Sequence, residues 1–488
     1  MVREAGQQRT LVKSRRTRMS TSKVDIVSAS IGETSARLRQ RELSPVELTM
    51  AALERIEALQ PRLGCFTTLA SEYALQRARE AEHEIVHGRY RGPLHGIPYT
   101  LKDVVATQGI RTTFGDPKGV DYRPRESATV HTLLEDAGGI LLGKVVSEIG
   151  RHPTGPVGCR NPWDTRRSPG TSSSGSASAV AASLGFASIG TDTGGSVRHP
   201  ASNSGLVAMK ATFGRISRFG VWASSWTSDQ AGPLTRTVED NALILELLGV
   251  YDPRDPVSLN LPREAYRAGL RDGIEGMRIG VPVDDWIWKE WLSEEEEAVV
   301  RKALDVLSSL GASLIDVELP RTAQGRAILH VLTASEAQVY LEDNYTPAQI
   351  AAWPEWHPRL TQGRSQSFAD YLHAQQARAA ICQEVTAVLH QVDVIAMPTG
   401  STFGDDWDAE TVVIRGRVAP ARSRAVYRNA MASLTGHPEI SVPCGFGLDD
   451  TFPIGLMLHG RPLQEALLYR VAHAYEQATE WHKRRPPL

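Results

Sequence analysis

Ser168–Ala201 reads SPGTSSSGSASAVAASLGFASIGTDTGGSVRHPA, and its order of residue types suits the placing of a nucleophile. Pro169-Gly170 marks a turn into a serine cluster, and Ser178 to Gly185 is almost all Ala, Val, Leu and Ser, a helix thin enough to lie against other backbone. Phe186 to Ile189 then turns apolar and alternating, as a buried strand does, and runs into Gly190-Thr191-Asp192-Thr193-Gly194-Gly195-Ser196. A strand ending in glycines can leave backbone N–H groups free to meet a ligand. Fixed donors of that kind stabilise the developing oxyanion of acyl transfer without reorganising. Ser196, at the turn, is the candidate nucleophile. A serine hydroxyl is inert until a base takes its proton. The only histidine of the stretch, His199, is followed by Pro200 and reads as part of a structural turn, so the base must come from elsewhere.

A second serine, Ser172, lies upstream of Ser196, and further upstream Lys102 ends an apolar segment in PLHGIPYTLKDVVATQGIRTT. A lone lysine after a strand is ordinarily a surface residue, and a Gly-Gly-Ser turn alone is ordinarily just a turn. Their order inside a longer pattern changes that. PLHGIPYTLKD, SPGTSSSGSASA, GTDTGGSVRHPA and DQAGPLTRTVED, in this sequence, together resemble the amidase signature family, over roughly Ser44 to Trp481. The family's lysine, bridging serine and second serine fall on Lys102, Ser172 and Ser196.

The resemblance implies that neutral Lys102 takes a proton from Ser172, which takes one from Ser196, so that Ser196 attacks a carbonyl carbon. Lysine can do this only if burial lowers its free pKa of about 10.4. The backbone N–H groups of Thr193, Gly194, Gly195 and Ser196 would form the oxyanion hole. Asp192 and Arg198 would pair to brace the turn, and Ser173 would hydrogen-bond in the same network. The family also places a cis peptide bond before the bridging serine, here between Thr171 and Ser172. Its usual glycines flanking that serine are replaced by Thr171 and Ser174.

The implied fold is α/β, a central mixed, largely parallel twisted sheet flanked by helices on both faces. Two segments are expected: residues 1–23 as a basic disordered tail, and residues 24–488 as the amidase domain. The tail carries Arg3, Arg9, Lys13, Arg15, Arg16, Arg18 and Lys23 against Glu4 alone, and has no apolar core for a secretory signal. At 488 residues, 41% hydrophobic and 23% charged, the chain can bury a sizeable core. A formal net charge of −2 supplies no field for nucleic acid or acidic membranes. No apolar run approaches the roughly 18 residues of a membrane-spanning helix. Cys65, Cys159, Cys382 and Cys444 are scattered without CxxC spacing, which argues against a disulfide framework and a zinc site and fits a reducing cytoplasm. No metal or organic cofactor is implied, because neither a ligand cluster nor a phosphate loop is present. His95, His131 and His437 are scattered and read as structural. The expected partner is a small-molecule amide substrate, not nucleic acid or membrane, and a homodimer is left open.

Local signals place most elements. Ser44-Pro45-Val46-Glu47 predicts a capped helix to about Leu59, Ser71 to Val86 a second helix, Leu94 to Thr107 a strand, Ser127 to Ala137 a helix and Ile140 to Val146 a strand. Thr237 to Leu248 and the acidic SEEEEAVVRKALDVLSSLG from Ser293 read as helices, the glutamates suiting the positive end. Arg278–Pro282, Ala312–Leu319, Val392–Met397, Glu439–Pro443 and Ile454–Leu458 read as strands, and Gln464 to Trp481 closes the chain as a helix. Gln324 to Leu389 is the least regular part. Its Tyr340, Tyr345, Trp353, Trp356, Phe368 and Tyr371 could wall a substrate pocket, although aromatics are more often core.

The family includes free-standing amidases and the glutaminase subunit of tRNA-dependent amidotransferases. In the glutaminase, an Arg before Gly-Thr-Tyr, and an Asp about ten residues before the equivalent of Gly436, hold the glutamine. Here the middle region PAQIAAWPEWHPRLTQGRSQSFADYL lacks Gly-Thr-Tyr, and Val426 falls where the Asp would stand. A site without such polar groups discriminates against a zwitterion. The favoured expectation is therefore hydrolysis of bulky or aryl amides, given also Trp222 and Trp226. The alternatives are the glutaminase subunit, or a hydrolase of carbamate, urea-type or ester bonds by the same acyl-enzyme route. A non-catalytic binding protein on this fold is the least favoured, since all three reacting residue types are present.

Overall fold

Ser44 opens a helix as its sequence demands. Its hydroxyl accepts the N–H groups of Val46 and Glu47 at 3.0 and 3.3 Å, and the Glu47 carboxylate reaches back to the Ser44 N–H. That reciprocal pairing satisfies donors that a helix start otherwise leaves orphaned. The helix spans Pro45–Leu63, past Pro61, and stops at Gly64 with φ 60°. The computed structural model describes residues 23–114, 121–148, 158–222, 224–351, 356–400, 406–407, 409–420 and 426–488. The basic stretch 1–22 and Trp353 lie outside the described residues, and Lys23 opens a short helix, Lys23–Ser28.

The strands are β1 (Phe66–Leu69), β2 (Pro98–Lys102), β3 (Ile140–Val145), β4 (Ala187–Asp192), β5 (Val207–Lys210), β6 (Gln230–Thr235), β7 (Arg278–Pro282), β8 (Ser313–Val317), β9 (Val394–Pro398), β10 (Thr411–Ile414), β11 (Arg417–Pro420), β12 (Glu439–Gly447) and β13 (Phe452–His459). Eleven of them form one sheet in the order β1-β3-β2-β4-β6-β5-β12-β13-β9-β7-β8, and β10 and β11 form a separate hairpin. The sheet is mixed. Parallel pairing occupies two blocks, β3/β2/β4 and β9/β7/β8, and the ladders between and outside them are antiparallel. Each parallel block is fed by helical crossovers, which parallel neighbours require. Thr129–Asp136 joins β2 to β3, Ser174–Ala181 joins β3 to β4, and Glu294–Ser309 joins β7 to β8.

Strands β2, β3, β9, β12 and β13 are buried along their whole length, as expected where helices cover both faces. The edge strand β8 is exposed over most of its residues. The region Gln324 to Leu389 is not irregular but helical, in Gly325–Asn344, Pro347–Ala351, His357–Ser365 and Phe368–Gln391. In the last of these the buried residues are spaced along a long helix and interleaved with polar ones. The apolar stripe by which a sequence announces a helix is therefore thin. Among the described residues, no helix is long and apolar enough to cross a membrane.

Candidate active site

Lys102 is the last residue of β2, a buried central strand, so its side chain leaves the sheet at the strand's carboxyl end while its amine stays inside the protein. The Lys102 Nζ donates to Ser172 Oγ at 2.5 Å and to Thr191 Oγ1 at 2.7 Å. Both partners are hydroxyls, so no carboxylate contacts the amine directly. Burial pulls its pKa down to about 7, and the more distant Asp229 and Asp192 keep it from falling further. Lys144 and Lys210 are also fully buried. Lys144 Nζ bonds the Val105 carbonyl and Thr112, and Lys210 Nζ bonds the His437 carbonyl at 2.7 Å. Only Lys102 meets a serine.

Ser172 reaches Lys102 through a backbone in the left-handed region, φ 71°, and is pinned by the Glu148 N–H donating to its carbonyl at 3.0 Å. A serine seldom adopts this φ, which costs about 1 kcal/mol or more. No cis peptide bond occurs among the described residues, so the one expected between Thr171 and Ser172 is corrected. The positive φ turns the side chain instead. Ser173 Oγ donates to the Thr191 carbonyl and accepts the Thr191 N–H, both at 3.2 Å. This ties the serine loop to β4. Gly190 makes room for it, because a Cβ there would lie 2.7 Å from Ser173 Oγ.

Ser196 sits partly exposed in the turn between β4 and the helix Arg198–Ser204, which contains His199. The structure brings Lys102 and Ser172 into contact, whereas the Ser196 hydroxyl makes no hydrogen bond to the described residues. Catalytic contacts are often loose before substrate arrives. The turn itself is tightly held. Asp192 accepts the N–H groups of Gly195 at 2.7 Å and Val197 at 3.2 Å, and takes a two-pronged contact from Arg198 at 2.8 and 2.9 Å. Burial would raise the Asp192 pKa, but Arg198 and the Gly195 N–H hold it down at about 2. The N–H of Gly195, one of the four residues expected to supply oxyanion donors, is thus bonded to a carboxylate. Those of Thr193, Gly194 and Ser196 make no hydrogen bond to the described residues. Gly195 has φ 110°, and a Cβ on it would lie 2.6 Å from the Asn429 Cβ, so the turn needs glycine there for both conformation and space.

Asp229 extends the site. It accepts the Thr193 hydroxyl and the N–H groups of Ser224 and Ser225 at 2.6 and 2.8 Å. Burial pushes its pKa up, opposed by those donors and by the nearby Arg359. Arg359 escaped the sequence reading. Its guanidinium lies over the Trp356 ring at 5.8 Å and has no hydrogen-bond partner among the described residues. Burial lowers its pKa, and Asp229 and Glu336 work against that. A basic residue in the middle region was visible in the sequence, but not that it would turn toward Asp229. Val426 opens the helix Val426–Thr435.

The expected aromatics divide. Trp222 donates from Nε1 to the Tyr345 hydroxyl at 2.7 Å and packs edge-on against Tyr340 and Trp356. A cavity of about 660 Å³ next to this cluster is lined by Ser224, Trp226, Glu336, Val339, Tyr340 and Tyr371, among others. It adjoins the site through Ser224, whose N–H is held by Asp229. Phe368, 79% exposed, is not a wall of it. The histidines are held in the core or at its edge. His131 Nδ1 meets the Tyr99 hydroxyl at 2.7 Å, His95 Nδ1 accepts the Arg91 N–H at 3.1 Å, and His437 pairs with His459.

A family model described as Amidase matches residues 47–469. A glutamyl-tRNA(Gln) amidotransferase subunit of Chloroflexus aggregans is 38% identical, covering 92% of this chain and 96% of that protein. Among solved structures, one reported as a vestigial protein complex revealing the evolutionary origins of an s-triazine catabolic enzyme superposes with a TM-score of 0.85 at 29% identity, over 92% of this chain and 98% of the other. The peptide amidase of Stenotrophomonas maltophilia does so with a TM-score of 0.80 at 30% identity, over 94% and 98%.

Proposed function

The chain belongs to the amidase signature family and is an amidase acting on amide C–N bonds, and from that premise we propose that it works through a Lys102–Ser172–Ser196 relay and an acyl-enzyme. One observation carries the reading: a buried amine with its pKa near 7 rests 2.5 Å from a serine hydroxyl. At neutral pH a large share of Lys102 is the free amine, which can accept the Ser172 proton as Ser172 takes the proton of Ser196. The Ser196 Oγ then attacks the carbonyl carbon, and the N–H groups of Thr193, Gly194 and Ser196 receive the oxyanion. Collapse breaks the C–N bond, the relay returns a proton to the leaving nitrogen, and the acyl group stays on Ser196 as an ester. Water, deprotonated through the same relay, releases the carboxylic acid.

Two readings of the substrate stand on different observations. The ring cluster of Trp222, Tyr340, Tyr345 and Trp356, with the cavity beside it, supports a bulky or aryl amide. The likeness to the glutamyl-tRNA(Gln) amidotransferase protein favours glutamine as substrate, and the unpaired Arg359 guanidinium supplies a cation for a substrate carboxylate. This second reading is the better supported by sequence relationship.

The test is a panel of glutamine, peptide amides and anilides, assayed for ammonia and amine release with the wild-type chain and with Ser196→Ala. Loss of at least about a thousandfold in kcat on the preferred substrate is expected, since the nucleophile of a hydroxyl relay acts with its base as one unit. Unchanged turnover in Ser196→Ala would remove the assigned nucleophile. Preference for glutamine over anilides would decide for the second reading.

A further inference from the structure

Behind the nucleophile turn lies a buried row of charged and polar side chains that the relay does not use. Strands β5, β12 and β13 pair so that Lys210, Glu439 and His459 stand opposite one another in register. All three are fully buried. Glu439 Oε2 is in contact with Arg198 Nη1, and its Oε1 is 2.8 Å from His459 Nδ1. His459 Nε2 lies 3.1 Å from His437 Nδ1. Burial, with His459 and Lys210 beside it, pushes the His437 pKa down to about 3, so that ring is neutral. Arg198, held by Glu439 on one side, grips Asp192 on the other, and its Nη1 also donates to the Asn429 carbonyl at 3.1 Å. Asp192 in turn holds the N–H groups of Gly195 and Val197, the residues on either side of Ser196.

We infer that Glu439 and His459 are positioning residues for Ser196, acting through Arg198 and Asp192 to fix the backbone on both sides of the nucleophile. The inference rests on Ser196 being the nucleophile. The physical argument is one of geometry rather than stability. A buried ion pair seldom out-stabilises apolar residues of the same volume, because desolvation offsets the Coulomb gain. What it does supply is direction. Arg198 has one planar fork for two carboxylates, and Glu439, rigid in a central strand, selects the orientation in which the fork meets Asp192. His459 in turn orients the Glu439 carboxylate. A slip of one residue between β12 and β13 would carry His459 to the opposite face, so the sheet register determines where the nucleophile sits.

Glu439→Gln, His459→Leu and His459→Gln test this in the full chain, with Ser196→Ala beside them. The readouts are kcat and KM on the substrate found by the panel, the rate of covalent labelling of Ser196 by a fluorophosphonate, and circular dichroism well below the melting transition. Glu439→Gln and His459→Leu should lower kcat and the labelling rate about tenfold to a hundredfold, as small misplacements of a reacting group do. KM should stay within about twofold, because the network touches the nucleophile turn and not the substrate cavity. Gln at position 459 can donate to Glu439 and accept from His437, so His459→Gln should recover several-fold of the kcat lost in His459→Leu. Folded Glu439→Gln and His459→Leu variants that keep wild-type kcat and labelling rate would overturn the inference while leaving the nucleophile assignment standing. Should Glu439→Gln not fold, the His459 pair alone decides, and equal kcat in the two His459 variants overturns it. Wild-type turnover in Ser196→Ala would overturn both assignments together.

Discussion

Lys102 shows how much one side chain's surroundings decide. In water its amine would be protonated at neutral pH. Here the ammonium is buried among hydroxyls, and the folded pKa is lowered from 10.5 to about 7. The proposed relay needs the free amine, so kcat/KM should rise with pH through about 7 and level off above it. The measurement is a pH profile on the preferred substrate. A profile flat from pH 5 to 9 would count against Lys102 as base. Stability carries the same signature with a definite sign. Between about 7 and 10.5 the unfolded chain binds a proton at this residue that the folded chain does not, so stability rises with pH across that window. Below 7 both states are protonated, and the burial penalty is constant. Denaturant unfolding of the wild type against Lys102→Met should therefore show the wild type gaining relative stability from pH 7 to 10 and holding a fixed offset below 7.

Elements differ in how plainly they announce themselves. Ser293 accepts the Glu296 N–H at 3.1 Å, and the Glu296 carboxylate accepts the Ser293 N–H at 3.0 Å, at the head of Glu294–Ser309. This cap is written in consecutive residues and was legible as such. Ser293→Ala should cost about 1 kcal/mol of stability, read from the urea midpoint at unchanged slope, since N-cap losses typically fall near that value. Ser71–Val86 and Arg278–Pro282 were equally legible, and both are found at the expected bounds. The helices of Gly325 to Gln391 were not. Gly325–Asn344 does bury a stripe through Ile328, Leu332, Ala337 and Leu341 that the sequence reading passed over, whereas in Phe368–Gln391 the buried residues are sparse and the stripe is thin. Strands β5 and β6 were missed as separate elements. Each gains its definition from ladder partners distant in sequence.

At the scale of the molecule, the two parallel blocks lie to either side of an antiparallel centre, and Lys102 at the end of β2 and the turn that follows β4, which carry the proposed base and nucleophile, lie on one side of it. Under the bulky-amide reading the expected outcome for the isolated chain is cleavage of simple amides with no added protein, measured by ammonia or amine release from purified material. A strict requirement for a second chain would assign it instead to the amidotransferase reading. The sequence by itself determined the family, the order of lysine, bridging serine and second serine, and the caps of the major helices. Those depend on residue identity and on hydrogen bonds a few positions apart. Only the tertiary structure decided that the Gly195 N–H is committed to Asp192, that Arg359 lies near Asp229, and that Glu439 and His459 stand behind Arg198. Each of these depends on strand register and on burial, which set distances and pKa values between residues that the chain itself keeps far apart.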